Sequence, residues 1–450
     1  MLAFDALVPA LATFLPQQRW YSGTETPSSV ELIGTDVQRE PWPALCSLVV
    51  RADGAYYQLV LGVRPVEEHP DFLRGHDGAV VGELDTERGR AWVYEATVDP
   101  ELGLVLLDVV SGGQCSAQQT RPPGTEQSNS SLIYDDEFIL KVFRRLQPGP
   151  NPEIEMTSGL NRVGFTHVAP PLATKRWNDF DLAILQPFLA GGTEGWAMAL
   201  TSLRDLFGVF DTQPVPMVID FDSGPPPPSP AEAGGDFSAE ADRLGATTAE
   251  MHLALAEAFG RFPADVDVWA WTVAEQITAA SLSDSDKQRA YAIVDSLREV
   301  QNPGSAVRVH GDYHLGQVMR TDAGWFVLDF EGEPERPLED RRRPSSPLRD
   351  VAGMLRSIHY AAMVALADRD EVELANAWEA RNRQSFLDGY LREVKRGALI
   401  PDDRAEVEAV IRAFELEKAV YEVAYEAAHR PHWKNIPEAA VQRLLGATES

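Results

Sequence analysis

The run VRVHGDYHLGQVM, Val307–Met319, gathers His310, Asp312, His314 and Gln317 where an alternating apolar strand gives out. Val307 and Val309 alternate as strand residues do, and Gly311 lets the chain turn sharply. Shortly after, WFVLDFEGEP repeats the arrangement: an apolar strand with Asp329 at its end, then Phe330, Glu331 and Glu333. A hairpin pairing these two strands is expected to bring Asp312, Gln317 and Asp329 to one edge. Such oxygen donors suit magnesium, which takes carboxylates, amides, water and phosphate oxygens. Asp312 has a second use, as acceptor of an alcohol proton. The bland alternative is a tight turn with incidental polar residues.

Phosphoryl transfer needs a cation as well, because the protein's part is mainly to position groups and neutralise charge. Lys141 stands mid-strand among apolar residues in EFILKVF. Glu155, in the first turns of the next helix, offers it an ion-pair partner. An unpaired buried lysine would tend to lose its proton. The competing reading of Lys141 is an ordinary lysine at a sheet edge. Upstream, EQSNSSLIYDD offers a phosphate-covering turn from Ser128, Asn129, Ser130 and Ser131. It has neither the glycines of a Gly-rich loop nor a Walker pattern.

The elements that must position these residues follow from periodicity. Phe4, Leu7, Leu11 and Phe14 fall at helical spacing and predict an amphipathic first helix; Asp5 and the missing basic leader argue against a signal peptide. CSLVVRADGAYYQLVLGV predicts a hairpin through Ala-Asp-Gly, with RAWVYEATV and GLVLLDVV read as further strands. SSLIYDD and EFILKVFRRL read as two strands around an Asp-Asp turn. NPEIEMTSGLNRVG predicts a helix with Asn151 as cap, Pro152 in its first turn and Gly164 past its end. DLAILQPFLAGGTEGW predicts a buried strand leading to another helix, and residues 221–235, with four successive prolines, a surface excursion. Downstream the pattern is mostly helical. The expected organisation is α+β: a cap over residues 1–88, a sheet-bearing lobe with a mixed sheet over 89–190, and a helical lobe over 191–450.

The chain has 450 residues and a formal charge of −29, a field that repels nucleic-acid backbones and anionic lipid. A polyanionic substrate such as ATP therefore needs local lysine, arginine and metal ions. Cys46 and Cys115 are the two cysteines, with no CxxC or Cys/His cluster, which fits a reducing cytosol. No stretch approaches an uncharged span of membrane length.

The order Lys141, Glu155, HGDYHLGQ, DFEGEP, LRDVAGMLRS resembles the aminoglycoside-phosphotransferase-like kinases, relatives of protein kinases, over roughly residues 125–430. LPQQRWY near the start and EKAVYEVAYEAAHRPHWKNIP near the end are similar to bacterial maltokinases, which make maltose 1-phosphate from maltose and ATP. This resemblance implies a bilobal protein-kinase-like fold with an extra N-terminal cap, magnesium as cofactor, and a role feeding α-glucan and glycogen synthesis. It implies that Lys141 holds the α- and β-phosphates with Glu155 holding Lys141. Asp312 would be the catalytic base, and Gln317 and Asp329 the magnesium ligands; asparagine is commoner than glutamine at the first of these positions in related kinases. Backbone groups from Gln186 to Phe188 would meet adenine, and Asp350 and His310 would brace the catalytic loop.

The helix predicted from about Asp403 to His429 has Val407, Ile411 and Phe414 as its apolar stripe, continued by Lys418, Tyr421, Glu422 and Tyr425. An apolar face thus turns aromatic and charged, the mixture that sugar recognition uses: rings for C–H faces, charged groups for hydroxyls. Arg430 and Trp433 would add to it. The alternative is that both tyrosines simply finish the core. His252 reads as a helix-packing histidine, Trp269 and Trp271 as mainly core residues, and Arg341–Arg343 as a solvated loop able to assist ATP. Two other functions stay open: a phosphotransferase for aminoglycosides or another small hydroxylated molecule, and a non-catalytic kinase-like binding module. The cap is also a candidate surface for a maltose-producing enzyme.

Overall fold

The computed structural model describes residues 4–446 except 24, 41, 69, 125–128, 213–229, 232–235, 334–335, 367–368 and 396. Two compact units emerge: Met1–Ser158 with Ala169–Ala190, and Gly159–Val168 with Gly191–Ser450. The proline-rich excursion and Ser128 fall largely or wholly outside the described residues.

In the first unit, Phe4, Leu7, Leu11 and Phe14 are buried as their spacing requires. They pack into the core of a six-stranded sheet. Its order is Val30–Arg39, Ala44–Ala52, Ala55–Pro65, Gly89–Glu95, Val80–Thr86, with Arg145–Leu146 also on the third strand. The predicted hairpin closes through Asp53 and Gly54, both in the left-handed region. Such two-residue turns match the right-handed strand twist. Thr86 pairs with Gly89, so the expected boundary at residue 88 falls inside a hairpin of this sheet.

GLVLLDVV is not a strand. Pro100–Ser111 is a helix capped by Asp99, whose carboxylate accepts the N–H groups of Glu101 and Leu102, and it ends at Gly112 in the left-handed region. Leu102, Leu106, Leu107 and Val110 form its buried face, joining a core shared with both sheets. The cap and stop signals outweigh the strand preference of its valines.

The second sheet runs Ala173–Trp177, Phe180–Pro187, Phe138–Val142, Ser130–Tyr134, Thr120–Arg121, all antiparallel rather than mixed. Asp135 and Asp136 make the predicted turn, both at positive φ. Fully buried Arg144 ties the two sheets together. It donates to both carboxylate oxygens of Glu95 at 2.7 and 3.0 Å and to Ser130 Oγ at 2.8 Å.

The second unit is mostly helical. Ser238–Phe259 and Val372–Val394 cross closely, because a Cβ on Gly245 or Gly389 would lie 2.0 Å from the facing helix's backbone carbonyl. Arg404–His429 runs 26 residues from an Asp403 cap, with Val407, Ile411 and Phe414 buried. The expected hairpin is shifted by one element. Gly324–Val327 pairs with Val318–Thr321, after the HGDYHLGQ loop, whereas Val307 only bridges to Ser345. A four-residue turn between the paired strands is a far shorter closure than one spanning the whole loop.

Candidate active site

The HGDYHLGQ loop is held from below by one carboxylate. Asp350, 2% exposed at the start of helix Leu348–Leu366, accepts the N–H groups of His310 at 2.7 Å and Gly311 at 2.9 Å. It also accepts from His252 Nε2 at 3.0 Å, and His252 Nδ1 meets the Tyr390 hydroxyl at 3.0 Å. Burial disfavours the Asp350 charge, yet the His252 bond, the nearby imidazoles and the Gly311 N–H hold its carboxyl below the usual range. Gly311 takes a φ of 87°, which only glycine adopts without strain, and that bend turns the following residue out of the strand path. His310 donates from Nε2 to the Leu328 carbonyl at 2.8 Å and accepts the Asp312 N–H at Nδ1. His252, read from sequence as a packing residue, is thus part of the support for the loop.

Asp312 itself is half-buried. Lys418 Nζ lies 3.1 Å from its Oδ1 and 2.6 Å from Glu333 Oε1, and His314 Nε2 lies 3.9 Å from Oδ2. Burial pulls against the Lys418 charge, but Glu333 and Asp312 raise its basicity well above normal. Burial pulls the same way on Glu333, which Lys418, Arg336 and Arg349 nonetheless hold down at about 2. His314 is lowered from its usual value by burial, and its Nδ1 accepts the Gly316 N–H.

Gln317 Nε2 donates to Asp329 Oδ2 at 3.1 Å, so these two side chains do converge. The hairpin brings them together, because Leu328 N–H bonds the Gln317 carbonyl at 2.9 Å. Their ligand atoms for a metal would be the Asp329 carboxylate oxygens and the Gln317 amide oxygen, a set that fits magnesium, although it is the amide nitrogen that faces Asp329 here.

In the first unit, Lys141 is paired with Glu153, where Glu155 was expected: Nζ to Oε2 is 2.6 Å. Glu153 is 4% exposed and shares the inward helix face with Met156, Thr157 and Leu160. Residue 155 is rotated by roughly 200° from it. The i, i+3, i+4, i+7 pattern was the signal that could have found it. Ser131 is the cross-strand partner of Lys141 and shares its face. Ser130 is not placed for phosphate: its buried hydroxyl is taken by Arg144. Asn129 Oδ1 accepts the Arg144 N–H. At Phe188, expected to meet adenine, the N–H donates to the Glu137 carbonyl at 2.8 Å, and the carbonyl accepts from Ala190 with one lone pair left over. The Gln186 side chain donates to Ala169 O at 2.7 Å.

Along the long helix, Lys418, Tyr421 and Tyr425 form a continuous row. The Lys418 ammonium is 5.2 Å from the Tyr421 ring centre, the two tyrosine rings stack at 6.1 Å, and Tyr425 stacks on His429 at 4.4 Å. All three are partly exposed or exposed, so the tyrosines do not merely finish the core. Glu422 is bound by buried Arg356 at 2.6 Å. Arg430 pairs with Glu426 and lies 4.6 Å from the Trp433 ring centre. Trp269 is buried on helix Val266–Ala279, while Trp271 is 57% exposed.

Residues 14–99 match the maltokinase N-terminal cap domain, and residues 230–379 match the phosphotransferase enzyme family. The latter span contains Asp312, Gln317, Asp329 and Asp350. The chain thus joins a span similar to the maltokinase cap to a span similar to these phosphotransferases. Two curated relatives of the chain are glucosamine kinases. That of Mycolicibacterium smegmatis is 28% identical over 357 residues, 75% of this chain and 82% of its own. That of Streptacidiphilus jiangxiensis is 29% identical over 346 residues, 71% of this chain and 72% of its own. A solved glucosamine kinase in complex with glucosamine, ADP and inorganic phosphate shares the fold, at a TM-score of 0.67 and 23% identity, over 98% of this chain and 99% of that one. The kinase is thus an ATP-dependent phosphotransferase acting on a hydroxyl, with a kinase-like fold and a maltokinase-type cap. Among its described residues, no helix is long and apolar enough to cross a membrane.

Proposed function

We propose that this kinase transfers the γ-phosphoryl group of ATP to the anomeric hydroxyl of maltose, giving maltose 1-phosphate. The observation that carries the reading is the row that starts at Asp312 and runs through Lys418 to Tyr421 and Tyr425. Seven helical residues separate Lys418 from Tyr425, a rise of about 10 Å, long enough for two linked sugar rings. The maltokinase-type cap points the same way.

Asp312 orients the acceptor hydroxyl and takes its proton as the oxygen attacks the γ-phosphorus and the bond to ADP breaks. Lys418 holds Oδ1, which leaves Oδ2 as the proton acceptor. Lys141, oriented by its ion pair with Glu153, holds phosphate oxygens. Magnesium, bound by Asp329 and Gln317, would neutralise phosphate charge. Asp350 and His310 keep the loop in register.

Glucosamine is the second reading, favoured by the names of the curated relatives. Incubation with magnesium-ATP and maltose, glucose, glucosamine, trehalose or kanamycin, followed by identification of the product, separates the readings. Maltose 1-phosphate as the main product supports the first, and phosphorylation of glucosamine alone refutes it.

A further inference from the structure

The face of Asp312 that meets the acceptor already contains a cation. Lys418 Nζ bridges Asp312 Oδ1 and Glu333 Oε1, at 3.1 and 2.6 Å. Glu333 is bound in turn by Arg336, which donates to Glu417 at 3.1 Å, and Arg349 donates to Glu417 as well. These groups come from the catalytic loop, the segment after Asp329, helix Leu348–Leu366 and helix Arg404–His429. Asp312, Glu333 and Glu417 stand against Lys418, Arg336 and Arg349, three negative charges to three positive. Of the neighbouring ionisable groups, Glu422 is paired with Arg356 and Asp350 is hydrogen-bonded to His252, while His314, 3.9 Å from Asp312 Oδ2, is held below its usual value by burial. The cavity lined by Asp312, Glu333, Arg336, Arg349, Glu417 and Lys418 is about 30 Å³. That is room for roughly one water. An acceptor therefore enters a site whose charges are balanced before it arrives.

We propose that Lys418 is a charge filter: its ammonium holds the position between Asp312 and Glu333 that a cationic acceptor would need, so the enzyme takes neutral sugars and rejects protonated amino sugars. The inference rests on the sugar-kinase reading and adds the charge class of the acceptor. A second ammonium beside Lys418 leaves one positive charge uncompensated in a partly buried site, and like charges at this range repel strongly. A hydroxyl in the same place brings no such cost and can both donate to Asp312 Oδ2 and accept from Lys418.

The test compares kcat/KM for maltose and glucose with that for their 2-amino-2-deoxy counterparts, across pH. In the wild-type enzyme the neutral sugar is preferred by at least about tenfold at about pH 6, where nearly all of the amine is protonated. The preference shrinks as pH rises through the amine's own pKa, relative to the neutral sugar measured in the same buffers. Lys418→Met moves the ratio at least tenfold towards the amino sugar, and Lys418→Arg, which keeps the charge, does not. If Lys418→Met does not fold, the wild-type pH series decides. A ratio that is insensitive to pH in the wild type, or unmoved by Lys418→Met, overturns the filter while leaving the sugar kinase standing. No phosphorylation of any sugar, with ATP bound, overturns the underlying reading and the filter with it.

Discussion

Replacing Asp350 by asparagine tests how the catalytic loop is held. The carboxylate accepts three donors: the His310 N–H and His252 Nε2 at Oδ2, and the Gly311 N–H at Oδ1. An asparagine can turn its one carbonyl oxygen towards the first two. Its NH₂ group then faces the Gly311 N–H, leaving a buried donor without an acceptor, at a cost of about 1–3 kcal/mol. The remaining two bonds lose their charge assistance, which roughly halves their strength. The expected loss is about 3 kcal/mol, a large part of the roughly 5–15 kcal/mol typical of a folded domain. Urea unfolding at neutral pH measures it. Because the Asp350 pKa is depressed by folding, its stabilisation is complete above its ordinary value of 3.8 and fades as pH falls through the lower folded value. The deficit of the variant is therefore constant near neutrality and narrows only in acid. Displacement of Asp312 lowers kcat by about a hundredfold, while the KM for ATP changes little. Stability within about 0.5 kcal/mol of wild type, the range of an ordinary surface substitution, together with an unchanged kcat would refute this account of the loop.

Further substitutions probe the rest. Glu153→Gln raises the KM for ATP severalfold and Glu155→Gln does not, because the structure pairs Lys141 with Glu153; equal effects would contradict the pairing. Arg144→Met leaves Glu95 buried without its partner and destabilises the protein by about 3–5 kcal/mol in urea. Tyr425→Ala raises the KM for maltose about tenfold while that for ATP holds, and glucose is less affected because a single ring does not reach as far. Glu333, held at about 2 in the fold, supplies stability that is full above its ordinary 4.5 and lost between those values as pH falls. Acid titration of Glu333→Gln should accordingly lack that step.

The long helix was legible because Asp403 caps it and a single stripe runs from Val407 to Phe414 before turning aromatic at Tyr421. The Asp-Gly and Asp-Asp turns were legible because few residues accept positive φ. The convergence of Gln317 with Asp329 was readable from two strands ending in polar residues, although the strand that closes the hairpin was Val318–Thr321 and not the one before the loop. Other features depend on contacts that spacing alone does not carry. Aliphatic composition hid the helix Pro100–Ser111, whose signals lie at Asp99 and Gly112. The choice between Glu153 and Glu155 turns on which helix face is buried. The link from His252 to Asp350 joins residues 98 apart in sequence, and the pairing of Lys418 with Asp312 joins residues 106 apart.

The most direct test of Asp312 as the base acting on a sugar hydroxyl is phosphorus NMR of the product formed from maltose and magnesium-ATP by wild type and by Asp312→Asn. The wild-type enzyme should give maltose 1-phosphate, and the variant, still folded and still binding ATP, should turn over at least about a hundredfold more slowly. Maltose 1-phosphate formed by the variant at near wild-type rate would contradict the account.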